Sequence, residues 1–291
     1  MISLSVIIVS YNNLEVIRNC LDSIRQYNDI GNHLEVIVIE QSPNEDIYNF
    51  VKQTYPWVTV KREENKGFGA GNNRGAELAN GDYLLFLNPD TALVEPVFKY
   101  AVTVFAKNPS LGLFGVQLLD AQGIENSSYE CIEAYGIKAK LTSKLAKKTG
   151  RYNERKMYIQ GADLFVRRDA FEKAGRFDEN IFMYGEEPDL CLRIMKAGYH
   201  TAFFKKKKII HLEGATNPQE YHMQLDKQLH SYRYVCEKHG MNFEKIVKSE
   251  RRYQQMKAAL FKLAGPRFRE RYESAVKSAD VITHQLEQEE G

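Results

Sequence analysis

Tyr83-Leu84-Leu85-Phe86-Leu87-Asn88-Pro89-Asp90 decides the fold: five consecutive apolar residues, too few for a helix, run into a polar turn that ends in a carboxylate. A run this short and this continuously apolar reads as a strand covered on both faces, and such strands belong to parallel sheets with helices on either side. In open sheets of that kind ligands collect at the C-terminal strand ends, so Asp90 sits where a bound group can be held.

The segments upstream repeat the pattern. Residues 4–10 form another continuous apolar run, Asn13 caps a stretch with Val16, Ile17, Leu21 and Ile24 at helical spacing, and residues 34–39 are apolar again. A helix over 46–54, a strand over 58–61, a glycine-rich turn over 67–71, a helix over 72–79 and the strand 83–87 continue the alternation. This predicts a doubly wound α/β sheet with its C-terminal strand ends on one side. Beyond Pro96 the spacing predicts a helix to Lys107, a strand over 113–118, a loop-rich polar stretch over 120–155, a strand over 159–166, helices over 170–174 and 188–197, and extended chain over 201–210. Residues 144–148, rich in lysine, are expected in that loop. After Gly214 the composition turns helical, which divides the chain into an α/β domain, 1–216, and a helical extension, 217–291.

Composition narrows the partners. With 40 Lys+Arg against 38 Asp+Glu in 291 residues, the charge is too balanced for nucleic acid as the main partner. Cys20, Cys131, Cys191 and Cys236 form no CxxC or Cys/His ligand spacing, which fits a reducing compartment. The N-terminus lacks a basic n-region and cleavage site, and no run approaches the roughly 18 apolar residues that span a bilayer. The expectation is a cytoplasmic protein, at most held on the inner face of a membrane.

Four segments end at predicted strand tips: Ser10-Tyr11-Asn12, Glu40-Gln41-Ser42, residues 65–75, and Asn88-Pro89-Asp90. A nucleotide needs this mixture: an aromatic wall for the base, a carboxylate for ribose or base donors, glycines for close backbone approach, and a cation near the diphosphate. Gly67-x-Gly69-x-Gly71 imitates a dinucleotide fingerprint, but its third glycine comes one residue early and the motif does not follow the first strand, which argues against a dinucleotide oxidoreductase. Each feature also has a plainer reading. Asp90 can be a helix cap at a turn that Asx-Pro-Asx favours, Glu186 and Glu187 can answer the dipole of a helix they open, Gly161-Ala162 can permit close packing, and a lone His211 is more often a hydrogen-bonded structural residue. Asp189 and Arg193, four apart, suit a helical ion pair.

Taken together the segments resemble the inverting glycosyltransferases of family 2. The resemblance is carried by Val9-Ser10-Tyr11-Asn12, Glu40 where the family usually has Asp, residues 65–75, Gly81-Asp82, Asn88-Pro89-Asp90, Gly161-Ala162, Tyr184-Gly185-Glu186-Glu187-Pro188-Asp189-Leu190-Cys191-Leu192-Arg193, and His211. It implies a GT-A fold, α/β with a mostly parallel central sheet flanked by helices, here with a helical C-terminal extension. By that resemblance Asn-Pro-Asp replaces the family's DxD, and Asp90 with His211, beside Gly214-Ala215-Thr216, would hold Mg²⁺ or Mn²⁺ against the donor diphosphate. Asn88 stands where the first carboxylate usually lies; one carboxylate with phosphates and water can still hold Mg²⁺, and a single imidazole also suits Mn²⁺.

The resemblance further implies donor contacts from Ser10, Tyr11, Asn12, Glu40, Asn65, Lys66, Gly67, Asn73, Asn88 and Asp90, and acceptor contacts from Gly161, Ala162 and Asp163. Glu187 aligns with the family's base, with Glu186 able to share the role. The implied reaction is inverting transfer of a sugar from a nucleoside-diphosphate sugar to a hydroxyl of a saccharide or polyprenyl-linked saccharide, in surface polysaccharide synthesis. The Asn-Pro-Asp variant and the 186–193 segment look most like rhamnosyltransferases, pointing to dTDP-rhamnose, with UDP-hexose or UDP-hexosamine as the alternative. The missing first carboxylate motivates a third reading, a non-catalytic nucleotide-sugar-binding scaffold. In the extension, Tyr253, Met256, Leu260 and Leu263 recur at helical spacing among Arg252, Lys257, Lys262, Arg267, Arg269 and Arg271. That face suits anionic lipid, or packing on its own domain or a second copy.

Overall fold

The structure, a computed structural model, describes residues 3–212 and 218–287. The chain falls into two compact units, one of residues 1–130, 152–182 and 186–213, the other of 131–151, 183–185 and 214–291. The second unit therefore takes in two pieces from before residue 214 as well as the segment after it.

In the first unit the elements run β1 (Leu4–Ser10), α1 (Leu14–Gln26), β2 (Leu34–Glu40), α2 (Asp46–Thr54), β3 (Val58–Arg62), α3 (Phe68–Leu78), β4 (Tyr83–Leu87), β5 (Thr91–Leu93), α4 (Phe98–Lys107) and β6 (Leu111–Leu119). After β7 (Tyr129–Cys131) and α5 (Ile137–Thr149), the latter in the second unit, come β8 (Met157–Ile159), β9 (Asp163–Arg167), α6 (Arg168–Lys173), α7 (Glu186–Lys196) and β10 (His200–His211). Eight strands form one sheet in the order β3-β2-β1-β4-β9-β6-β10-β5, and β7 pairs with β8. Pairs β3-β2, β2-β1, β1-β4 and β6-β10 are parallel, whereas β9 runs against both β4 and β6, and β5 against β10. The mostly parallel α/β sheet is as the apolar runs imply. Its core is aromatic at the centre: Phe114 stacks on Phe165 at 4.8 Å, and Phe105 and Phe86 are fully buried.

Three local readings differ from expectation. The glycine-rich segment is the start of α3, not a turn: only Gly67, at φ 99°, lies outside the helix. A Cβ on Gly71 would come within 2.9 Å of Val9, and one on Gly75 within 2.3 Å of Ile7, so these glycines let α3 lie directly on β1. Interior helical glycine costs about 0.5–1 kcal/mol relative to alanine, a cost offset here by that close packing. The strand expected over 159–166 is instead split between two sheets, because β8 pairs with β7 whereas β9 joins the eight-stranded sheet. The polar stretch 120–155 contains β7 and α5, with residues 144–148 inside that helix. Its periodicity is hard to read because α5 buries alanines, Ala139 and Ala146, and leaves its larger apolar residues exposed.

The second unit is built on α8 (Pro218–His239), α9 (Phe243–Leu263) and α10 (Arg269–Glu287), around Leu229, Tyr232, Cys236, Val247 and Ile282. Among the described residues no helix is long and apolar enough to cross a membrane. All four cysteines are buried and free, and burial pushes the thiols of Cys20, Cys191 and Cys236 up to about 12, which makes them poor nucleophiles.

Candidate functional site

Parallel register sets Ser10 beside Glu40 at the tips of β1 and β2, and Gln41 N–H donates to Ser10 O at 2.9 Å. Asn12 takes the left-handed region, φ 52°, and donates its N–H to Ser42 Oγ at 2.8 Å. This turn leaves the Tyr11 ring 49% exposed beside the strand tips. The Glu40 carboxylate is fully buried; Oε1 accepts from Ser42 N–H at 2.8 Å, while Oε2 has no partner among the described residues. A buried acceptor without a donor costs about 1–3 kcal/mol, and a ligand N–H or O–H would recover it.

The start of α3 is already occupied by the protein. Asn65 Oδ1 accepts from Gly67 N–H at 3.1 Å, Phe68 N–H donates to Phe182 O at 3.1 Å, and a Cβ on Gly67 would lie 2.1 Å from that same carbonyl. Gly67 is thus the crossing point of two backbones. Asn73, expected as a contact to the nucleotide-sugar, is hydrogen-bonded within the protein: Nδ2 donates to Phe177 O at 3.0 Å and to Glu179 Oε1 at 2.9 Å, and Oδ1 accepts from Phe177 N–H at 3.0 Å. It clamps the 177–179 loop onto α3. Lys66 is exposed and pairs with Glu64 at 3.4 Å; with Gln41, Glu63, Ala70, Arg74 and Glu179 these two line a polar pocket of about 270 Å³.

At the tip of β4 a continuous chain of contacts appears. Asn88 N–H donates to Ala162 O at 3.1 Å, and Gly161 N–H donates to Glu187 Oε1 at 3.2 Å. On the other side Leu212 N–H donates to Asp90 O at 2.9 Å, and His211 Nε2 stands 3.3 Å from Asp90 Oδ1. Residues from four places in the sequence are brought together: Glu187, Gly161-Ala162, Asn88 with Asp90, and His211. No group of three or more His, Cys, Asp or Glu that could hold a metal occurs among the described residues. A carboxylate and an imidazole this close nevertheless fit two ligands of one divalent ion whose remaining positions are filled by phosphate oxygens and water. Gly214-Ala215-Thr216 lies outside the described residues.

Helix α7 opens with Glu186, Glu187 and Asp189 in its first turn, where the dipole favours carboxylates. Two successive left-handed residues, Tyr184 at φ 67° and Gly185 at φ 114°, turn the chain into it. Glu186 is buried and Glu187 half-buried. The expected ion pair is present: Arg193 Nη2 meets the fully buried Asp189 at 2.5 Å, and the same guanidinium donates to Ala174 O and Arg176 O. That fork ties α7 to the chain leaving α6 and so fixes where Glu187 points.

Gly161→Ala tests the placement of Glu187. A Cβ there would lie 2.5 Å from Glu187 Oε1, at the mobile end of a side chain, so the fold should survive while the carboxylate is displaced. We expect unchanged donor affinity and a fall in kcat of about 10²-fold, the scale of a 1 Å misplacement, measured by steady-state kinetics.

Asp163, expected as an acceptor contact, lies in the interior beside β6. It is fully buried, Oδ2 accepts from Val116 N–H at 2.6 Å, and burial pushes its carboxyl well above the usual range. Its Oδ2 thus faces β6, while Oδ1 has no partner among the described residues. A carboxyl raised in the folded state favours folding most below its unfolded value of about 3.9 and loses that contribution as pH climbs toward the raised value. Asp163→Asn keeps an acceptor for Val116 without the charge. Its unfolding midpoint should match the parent in acid and exceed it at neutral pH.

Sequence reasoning missed the clamp formed by Asn73 with the 177–179 loop and the Phe182 carbonyl over Gly67. The one local signal was residue type, a glycine where a helix begins.

The sheet order, the strand-tip site and the C-terminal helices define a GT-A glycosyltransferase fold. The family model for Glycosyl transferase family 2 matches residues 5–174, and the chain belongs to that family. It is similar to the rhamnosyltransferase WbbL of Escherichia coli (strain K12), with 25% identity over 261 residues, 83% of this chain and 97% of that protein. It is also 24% identical over 222 residues to the O-antigen biosynthesis protein RfbC of Myxococcus xanthus; that match spans 73% of this chain but 17% of the relative's length. In fold it is similar to the mannosyltransferase PcManGT from Pyrobaculum calidifontis in complex with GDP-Man and Mn²⁺, with a TM-score of 0.62, 14% identity, and coverage of 99% of this chain and 88% of that one.

Proposed function

We propose that the protein transfers a sugar, with inversion, from a nucleoside-diphosphate sugar to a hydroxyl of a glycan or lipid-linked saccharide during surface polysaccharide synthesis. The observation that carries this reading is the contact chain from Glu187 through Gly161-Ala162 and Asn88 to Asp90 and His211, which sets a candidate base beside a candidate metal pair. Tyr11 offers a face for the base, and Glu40 Oε2 a buried acceptor for a nucleoside donor group. Asp90 and His211 would hold Mg²⁺ or Mn²⁺; such an ion, when bound, neutralises charge on the departing diphosphate. The manganese in the mannosyltransferase of similar fold supports that assignment. Glu187 takes the acceptor hydroxyl's proton as its oxygen bonds to the anomeric carbon and the bond to the diphosphate breaks on the opposite face. Glu186, buried beside it, stays as the second carboxylate of the pair.

Similarity along nearly the full length of a rhamnosyltransferase favours dTDP-rhamnose as donor, with UDP-hexose or UDP-hexosamine as the alternative. A panel of these donors with Mn²⁺ or Mg²⁺, read by thermal shift and by release of nucleoside diphosphate, tests the proposal. The expected result is metal-dependent stabilisation by dTDP-rhamnose above the others, and release of dTDP. Tight binding with no release under any acceptor would favour the scaffold reading that Asn88 motivates.

A further inference from the structure

Helix α5 carries its large apolar side chains outward. Ile137, Leu141 and Leu145 recur every fourth residue and are 44%, 61% and 63% exposed, while the helix buries only Ala139 and Ala146. This orientation is set by packing within its own unit: Ser143 Oγ contacts Cys131 Sγ at 3.2 Å, Cys131 Sγ contacts Ala139 O at 3.6 Å, and Gly136 N–H, at the helix start, donates to Glu250 Oε2 at 2.7 Å. The stripe cannot rotate inward without breaking those contacts.

Its charges are all of one sign. The sequence of α5, IKAKLTSKLAKKT, holds five lysines and no acid. Residues 137, 141, 144, 145 and 148 fall on one helical face, so Lys144 and Lys148 are interleaved with the leucines. Lys138, Lys144 and Lys148 are exposed and have no acidic partner among the described residues. Lys140 meets Glu250 at 2.9 Å and lies 4.7 Å from the Tyr253 ring, which Lys257 flanks from 5.5 Å. Burial, and then the neighbouring Lys140, hold the Lys257 ammonium below the usual lysine range, against the opposing pull of Glu250. In the same unit α9 exposes Met256, Leu260 and Leu263, the last 86% exposed, alongside Arg252 and Lys262.

We propose that the outer face of α5, together with the C-terminal half of α9, docks on the surface of an anionic lipid bilayer. The leucines enter the boundary of the acyl chains, and the lysine stems extend beside them so that the ammonium groups reach lipid phosphates. A helix of 13 residues is about 20 Å long, so it lies in the interface instead of crossing it. An apolar protein partner would bury Lys144 and Lys148 unpaired, and a second copy would set lysine against lysine; an anionic lipid surface matches both the leucines and the charge. This inference is independent of the sugar-transfer reading, and its test uses no sugar.

The full chain is mixed with vesicles of phosphatidylcholine alone or containing about a third phosphatidylglycerol, and flotation measures partitioning. The expected result is binding to the anionic vesicles only, weakened by high salt. Lys144→Ala with Lys148→Ala should lower partitioning about 25-fold, roughly five-fold per lysine near the surface. Leu141→Ser with Leu145→Ser should lower it at least about ten-fold, with an unchanged unfolding midpoint because both sites are exposed. Lys205→Ala with Lys208→Ala, basic residues on β10, should leave it unchanged. The proposal is overturned if the parent chain ignores anionic vesicles, if the α5 variants bind as well as the parent, or if light scattering shows a dimer that Leu141→Ser with Leu145→Ser dissociates and no lipid binding accompanies it.

Discussion

Glu187→Gln is expected to lower the rate of sugar transfer about 10²–10⁴-fold, the usual contribution of a positioned general base, while donor affinity stays within about two-fold. The substitution keeps size and shape, and the amide oxygen can still accept from Gly161 N–H, so the contact that positions the side chain is preserved. What is lost is the ability to take a proton. A rate near the parent's would remove Glu187 from the role and pass it to Glu186, the adjacent carboxylate at the start of α7. The double readout matters, since a variant with weakened donor binding would instead have moved the Gly161-Ala162 segment that Asn88 also holds.

Asp90→Ala is the second large effect. It leaves His211 without its carboxylate neighbour, and the metal affinity of the donor-bound protein should fall at least about 100-fold, the upper end of what loss of even an outer partner costs a metal site. The turn itself should persist, because it is held by backbone bonds: Leu212 N–H to Asp90 O at 2.9 Å, and Thr91 N–H to Asn88 O at 3.2 Å. Mn²⁺ titration in the presence of nucleoside diphosphate, followed by thermal shift, reads the effect. Unaltered Mn²⁺ dependence would show that Asp90 is a turn-capping residue, the plainer role that Asx-Pro-Asx sequences suggest. Asn88→Asp asks the converse question: a second carboxylate at the tip of β4 should tighten metal binding.

The strands and helices that frame the site were legible because their signals are local. Continuous apolar runs at 4–10, 34–39 and 83–87 name buried strands wherever they lie, and a spacing of four was enough to pair Asp189 with Arg193. The polarity of the segments at the strand tips likewise follows from residue type. Sequence by itself thus determined an α/β sheet with a polar crevice at one end.

Tertiary structure alone decided what each polar group faces. The side chain of Asn73 bonds to a loop a hundred positions away, and one oxygen of Asp163 bonds to β6, pairings that a list of residues does not contain. The antiparallel insertion of β9 between β4 and β6 carries Ala162 to Asn88 and Gly161 to Glu187, an arrangement no periodicity encodes. Helix α5 was hidden for the same reason: whether a leucine points inward depends on what stands beside it, and there the inward places are taken by alanine. Hydrophobic periodicity reports the environment of one segment, whereas a site is made of pairings between segments, and those are chosen by the packing of the whole chain.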